Sequence, residues 1–205
     1  MAQTNDPENK STCTEWIFAG LIKEKPEGIR ILGNPETIKC KYGEAVSFNG
    51  SSDAIFLESM PLADLTQFTI EVIFQPCSGG NFEQRFLHVG ESQGDRVLLE
   101  SRSSGTNWYF DAFIKVGEQQ CALIDPNLAH PLDQWYHLAY TIDNGHLATY
   151  VNGKKELEGN AVLVPLKSGK TSVGVRQNEV SWFKGGIYKV RITGKVLTPD
   201  DFMDF

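Results

Sequence analysis

Apolar and polar positions alternate along most of this chain with a period of two. The clearest run is 68–74, where Phe68, Ile70, Val72 and Phe74 share one face and Thr69, Glu71 and Ile73 the other. Period two is the strand pattern, because successive side chains leave opposite faces of a pleated backbone. Residues 134–158 carry it further. Tyr136, Leu138, Tyr140 and Ile142 alternate with His137, Ala139 and Thr141, and Leu147, Thr149 and Val151 alternate with Ala148 and Tyr150. Two Asn-Gly pairs, Asn144-Gly145 and Asn152-Gly153, interrupt the pattern. Asn-Gly is the strongest short signal for a two-residue type I′ hairpin, whose central residues both need φ > 0. The stretch predicts three successive antiparallel strands joined by two tight turns.

The same reading predicts a first strand over 15–20 and a short one at Ile29–Leu32, with loops around it at Pro26, Gly28, Gly33 and Pro35. Strands at 45–48 and 54–57 flank Asn49-Gly50, a turn lengthened by Ser51 and Ser52. Further strands follow at 85–89, 96–101, 108–115, 120–124, 161–164, 171–175 and 186–193. Thr198-Pro199-Asp200-Asp201 predicts one helical turn, with Thr198 as cap and Pro199 at the first helical position. Residues 1–12 are polar and expected to be disordered, leaving 13–205 as a single domain. Many short strands at near-regular spacing with almost no helix predict an all-β, two-sheet antiparallel sandwich.

Composition narrows the partners. The net charge of −7 argues against nucleic acid, which needs a basic surface. No apolar run approaches the ~20 residues of a membrane span. The polar opening MAQTNDPENKST has no apolar core of a signal peptide, and reads equally as the start of a cytosolic protein or as a mature start behind an added Met. Cys13, Cys40, Cys77 and Cys121 allow three pairings, among which the sequence does not choose; buried thiols are the alternative to a disulfide. Their spacing does not suit zinc. No H-E-x-x-H helix is present.

Three blocks carry a family resemblance. Trp135-Tyr136-His137-Leu138-Ala139, Asp143-Asn144-Gly145 and Tyr150-Val151-Asn152-Gly153-Lys154 resemble the laminin G-like, concanavalin A-like jelly-roll family. Upstream, Gly43-Glu44-Ala45-Val46-Ser47-Phe48-Asn49-Gly50 leads to Asp53-Ala54-Ile55-Phe56-Leu57 and Phe68-Thr69-Ile70-Glu71-Val72. Downstream, Phe183-Lys184-Gly185-Gly186-Ile187-Tyr188-Lys189-Val190-Arg191-Ile192 leads to Leu197-Thr198-Pro199. The blocks fall in the family's order across most of 43–202. The resemblance implies a jelly-roll sandwich, exported to the cell exterior or periplasm. It leaves the function open among lectins, adhesion modules and glycan-cleaving enzymes. It also implies structural calcium, for which Asn49, Asp53, Asp200 and Asp201 are the matching residue types. The alternative is that these are plain turn and cap residues.

In such sandwiches the outer face of one sheet holds the ligand, so polar members of apolar strands become candidates: Glu71, Arg85, His88, Glu100, Arg102, Asp111 and His137. For Glu71 the competing reading is a solvated outer-face residue, and for His88 and His137 a hydrogen-bonded, half-buried ring. Trp108 and Trp135 are expected in the core. The loop 176–184 adds Arg176, Gln177, Asn178, Trp182 and Lys184, a mixture suited to sugar: planar groups for paired hydroxyls and an indole for the apolar side of a pyranose. The leading expectation is a non-catalytic carbohydrate-binding module, with ligand where this loop meets Arg85, His88 and Asp111. The second is an enzyme. Trp182-Phe183-Lys184-Gly185-Gly186-Ile187-Tyr188, Gln84 with His88, and Glu100-Ser101-Arg102 resemble elements of jelly-roll polysaccharide lyases, in the reverse order for the last two. A glycoside hydrolase needs two acids facing one cleft, which Glu100 and Asp111, on adjacent predicted strands, could do, although nothing in the sequence singles them out. A structural or adhesion domain is the third.

Overall fold

The computed structural model describes residues 12–162 and 164–205. All but the last residue of the segment expected to be disordered lies outside the described residues. The elements run β1 (Cys13–Ile17), α1 (Phe18–Glu24), β2 (Ile29–Leu32), β3 (Glu36–Cys40), β4 (Gly43–Asn49), β5 (Ala54–Leu57), β6 (Gln67–Pro76) and β7 (Glu83–Gly90). They continue with β8 (Arg96–Ser104), β9 (Asn107–Val116), β10 (Gln119–Ile124), the short bridge β11 (His130–Pro131), β12 (Tyr136–Asp143) and β13 (His146–Val151). The last are β14 (Lys154–Asn160), β15 (Lys170–Val173), β16 (Lys184–Thr193) and a 3-10 turn at Pro199–Asp201.

Two antiparallel eight-stranded sheets face each other. One has the order β14-β13-β12-β6-β16-β4-β3, with β1 beside the second half of β16; the other is β10-β9-β8-β7-β15-β5-β2, with β11 beside β9. They are called here the β6 sheet and the β8 sheet. Phe68, Ile70, Val72 and Phe74 all lie buried between them. Phe74 is the hub, with ring centroids 4.6 Å from Phe86, 5.0 Å from Trp108 and 6.0 Å from Phe183. Such aromatic pairs add to the burial of their large apolar area.

Both Asn-Gly pairs stand at hairpin tips. Asn144 and Gly145 have φ of 47° and 99°, and Asn152 and Gly153 have 49° and 73°, as a type I′ turn demands. Three details differ from the expectation. The apolar run 15–20 splits between β1 and α1, because Phe18 and Ala19 turn into the core and the helix formers Leu21, Lys23 and Glu24 follow. β3 is an edge strand whose polar, mostly exposed residues hid it among loops. The third meander strand ends at Asn160, and Ala161 and Val162 are not strand. All four cysteines are free, so no disulfide joins them. Among the described residues no helix is long and apolar enough to cross a membrane.

Candidate functional site

The outer face of the β8 sheet carries the densest polar cluster. On β8 and β9, Val97, Leu99, Phe110, Ala112 and Ile114 take the core positions. Period two therefore turns Arg96, Leu98, Glu100 and Arg102 outward on β8, and Tyr109, Asp111 and Phe113 outward on β9. The register sets Glu100 opposite both Asp111 and Arg85, and Arg102 opposite Tyr109. A register shift between Arg85 and Leu87 lets β7 turn both Arg85 and His88 to this face.

These side chains form one network. Arg102 binds Asp111 Oδ2 through Nε at 2.9 Å and Nη2 at 2.6 Å, and the same Nη2 lies 3.1 Å from Glu100 Oε2. Arg85 Nη2 is 3.2 Å from that oxygen and also meets Glu83, while its Nη1 donates to Ser181 Oγ. Glu100 is 2% exposed, and burial pushes its carboxyl up to about 7; Arg85 and Arg102 oppose the shift, while Asp111 and Glu83 add to it. Burial likewise raises Asp111, against the pull of Arg102. Asp111 Oδ1 and the Nε of Arg85 are buried without a partner.

The segment 174–184 lies across one side of this face because its residues alternate in direction. Phe183 plunges into the core, and Trp182 packs outside against Ala54, Phe56 and Val175. Gly174, at φ 83°, permits the entry, since a Cβ there would stand 2.4 Å from the Phe48 ring. Gln177 spans the gap to the sheet, its amide reaching the carbonyls of Gly90 at 3.0 Å and Lys170 at 2.7 Å. The backbone N–H of Gln177 donates to His88 Nδ1 at 3.1 Å, leaving Nε2 to donate to the Glu91 carbonyl at 3.0 Å. His88 is thus a neutral imidazole with both nitrogens occupied. Its pKa falls to about 4 through burial, helped by the charges of Arg176, Arg96 and Arg85.

The structure therefore brings Arg85, His88, Asp111, Arg176 and Gln177 to one face, with Asn178 exposed at the loop tip. Lys184 is not with them. It opens β16 in the β6 sheet, and its ammonium extends to Gly79, where an added Cβ would stand 2.9 Å from Nζ. Trp182 is half-buried, with a face already engaged by Phe56 and Val175. Glu83, Arg96, Tyr109 and the 55% exposed Phe82 belong to the face but were not singled out from sequence. Their signal was the alternation of 96–102, which puts two arginines and a glutamate on one side of a strand.

Other candidates settle elsewhere. Glu71, expected to be solvated, is fully buried on the outer face of the β6 sheet. It accepts from the Met203 N–H at 2.6 Å, Arg191 Nε at 2.6 Å and His137 Nε2 at 3.0 Å, and the C-terminal residues Phe202 and Phe205 pack on His137. Burial raises Glu71, but these bonds outweigh it and hold the carboxyl below its usual value. Trp135 is half-buried against Tyr42, outside the main core. The lyase set does not assemble: Gln84 is buried, bonded to the Lys184 N–H and Ser103, and Tyr188 stacks on Tyr42 in the β6 sheet, away from His88 and Arg102.

Of the calcium candidates, Asn49 and Asp53 come together and Asp200 and Asp201 lie apart from them. Asn49 and Asp53 line a depression of about 550 Å³. Asp53, however, turns its two oxygens to the N–H groups of Asn34 at 2.9 Å and Asn49 at 3.0 Å, and Asn49 Oδ1 caps Ser51 and Ser52. These are turn braces. Asn49 pairs with the first residue of β16, whereas Asp200 and Asp201 sit in the 3-10 turn that meets Arg191 near its end. Among the described residues no three His, Cys, Asp or Glu side chains group to hold a metal.

Comparison with solved structures supports the fold. Domain 4 of AbnA, a GH43 extracellular arabinanase from Geobacillus stearothermophilus, in complex with arabinotriose, superposes with a TM-score of 0.70 and 21% identity, over 94% of this chain and 97% of that one. The heptameric SAP-like pentraxin from Limulus polyphemus gives 0.60 and 17%, over 76% and 77%. The binding domain of botulinum neurotoxin serotype D gives 0.61 and 17%, over 84% of this chain but 44% of its own length. No curated protein matches the chain. The model of the concanavalin A-like lectin/glucanases superfamily matches residues 49–202. The chain belongs to that superfamily.

Proposed function

We propose that this protein is a non-catalytic carbohydrate-binding module of an exported protein, and that it takes glycan on the outer face of the β8 sheet. The observation that carries the reading is the surface chemistry there. The exposed Phe82 ring lies beside Tyr109, centroids 6.5 Å apart, next to the Glu83–Arg102–Asp111 network. An aromatic surface flanked by fixed donors and acceptors is what a pyranose needs, with an apolar ring face on one side and hydroxyls at its edge. The network is held in place by reciprocal ion pairs, so little ordering is required on binding. The similar arabinanase domain in complex with arabinotriose supports the same reading.

The test is a glycan array followed by calorimetry. Tyr109→Ala is expected to weaken binding of the best glycan at least tenfold while leaving the fold intact by circular dichroism. Unchanged affinity would remove this face, and an array with no bound glycan would favour a structural or adhesion domain.

One observation favours a second reading. Glu100, with its pKa near 7, stands opposite Asp111, as the proton donor and partner carboxylate of a glycoside hydrolase would. Its 2% exposure, beneath two arginines, favours the binding module. Release of reducing ends from a bound glycan, abolished by Glu100→Gln, would reverse the preference.

A further inference from the structure

The β8 face is locally cationic on a protein whose net charge is −7. Arg85, Arg96, Arg102 and Arg176 outnumber Glu83, Glu100 and Asp111, and Glu100 holds its proton up to about neutral pH. The excess is uneven. At the Tyr109 end, Arg102 contacts all three carboxylates. At the His88 end, Arg96 and Arg176 make no ion pair among the described residues. Arg96 donates to the carbonyls of Gln93 at 2.9 Å and Gly94 at 2.7 Å and lies over the Phe113 ring, 5.3 Å from its centroid, and Arg176 donates to that of Ser92 at 3.3 Å. Both therefore converge on one loop, residues 91–95. The Nε atoms of Arg85, Arg96 and Arg176 are all buried without an acceptor. The arginines feel one another: burial first, then the neighbouring guanidinium charges, hold Arg96 and Arg176 below the usual arginine value. Like charges packed this way are costly unless an anion joins them. His88 cannot relieve or add to the charge, since it is neutral with both nitrogens bonded.

From this geometry we infer that Arg96 and Arg176, next to the already ion-paired Arg85, form a subsite for the carboxylate of an acidic sugar residue, so that the glycan bound on this face carries uronic or other sugar-acid units. The inference rests on the glycan-binding reading above and names its ligand class. A carboxylate is planar and has two acceptor oxygens, which match the paired N–H donors of a guanidinium. Arg96 to Arg102 spans six residues of extended strand, roughly 20 Å. That is long enough for the acid group to sit at the His88 end while another sugar of the same chain covers Tyr109. The overall negative charge of the protein opposes a polyanion at long range. It is screened beyond roughly 8 Å at physiological salt, whereas the contact with the arginines is not.

The experiment compares oligosaccharides containing galacturonate, glucuronate, guluronate, mannuronate or sialate with the same oligosaccharides after reduction of the carboxylates to alcohols, alongside neutral arabinan, xylan and glucan oligomers. At least one acidic oligosaccharide is expected to bind, with a loss of tenfold or more on carboxyl reduction. Arg176→Gln, at a half-buried side chain that makes no ion pair among the described residues, is expected to bring the affinity for the acidic form down to that of the reduced form. Its melting temperature checks that it folds. Lys189→Gln, which removes a cation from the β6 sheet, should leave the affinity unchanged. If a neutral or carboxyl-reduced glycan binds as tightly as any acidic one, the inference fails while the glycan-binding reading stands. If Arg176→Gln folds and keeps the preference for the acid, the inference fails at this subsite. If no glycan of either kind binds, both fail.

Discussion

Each sheet carries one buried glutamate on its outer face, and the two behave in opposite ways. Glu71 on the β6 sheet and Glu100 on the β8 sheet are 0% and 2% exposed. Glu71 has its carboxyl below the usual value, because a backbone N–H, an arginine and a histidine all donate to it. Glu100 meets two guanidinium groups but shares them with Asp111 and Glu83, and its pKa rises to about 7. Burial alone does not decide a carboxylate's charge. The count of donors that belong to it alone does. The β6 face is closed by residues 197–205 and finished with hydrogen bonds, as a structural contact is. The β8 face is left with acceptors and donors still to be used.

The largest effect should come from the closed face. Glu71→Ala strands Arg191, the Met203 N–H and His137 together, and is expected to cost about 3–5 kcal/mol in urea unfolding. A loss below ~1 kcal/mol would show that the contact contributes little and that the contrast between faces is not energetic.

The pH dependence should then separate the two glutamates by sign. The folded pKa of Glu71 lies below 4.5, so its contribution is present above that value and disappears as the pH falls through the folded pKa. The folded pKa of Glu100 lies above 4.5, at about 7, so its contribution is full below 4.5 and is lost as the pH rises through 7. Relative to Glu100→Gln, the native protein is expected to lose up to about 3 kcal/mol between pH 5 and 8. A parallel pair of melting curves over that range would overturn the assignment.

Trp182→Ala probes the boundary between the covered and open parts of the β8 face, and is the smallest effect. A half-buried indole packed on Phe56 and Val175 should cost about 2 kcal/mol, between a surface and a core tryptophan. A cost of ~4 kcal/mol would make the loop part of the core.

What the sequence revealed depended on how local the cause was. The alternation of 68–74 and the two Asn-Gly tips follow from the pleat and from φ, so the meander and the central strand were legible. β3 was not, since an edge strand of polar residues resembles a loop until its neighbour β4 is known. Glu71 reads as solvated because its cover comes from Met203, 132 positions away. Of the candidate site residues, Arg85, Asp111 and Arg176 come to one face, while Lys184 does not, because the chain crosses from one sheet to the other at Phe183. Arg96 escaped notice because Arg176 reaches the same loop, residues 92–94, from 80 positions further along the chain.

That same arrangement of strands governs when the protein can form. β16 pairs with β6, β4 and β1, so it closes much of the β6 sheet, yet it is the last strand in the chain. Its contacts with β6 join residues such as Glu71 and Arg191, 120 positions apart. During synthesis the early strands therefore wait with open edges until Thr193 has left the ribosome. Folding of the domain is expected to wait for β16 and to be slow, as non-local pairing makes it. The waiting strands are the stage at which a chaperone, or aggregation, would act.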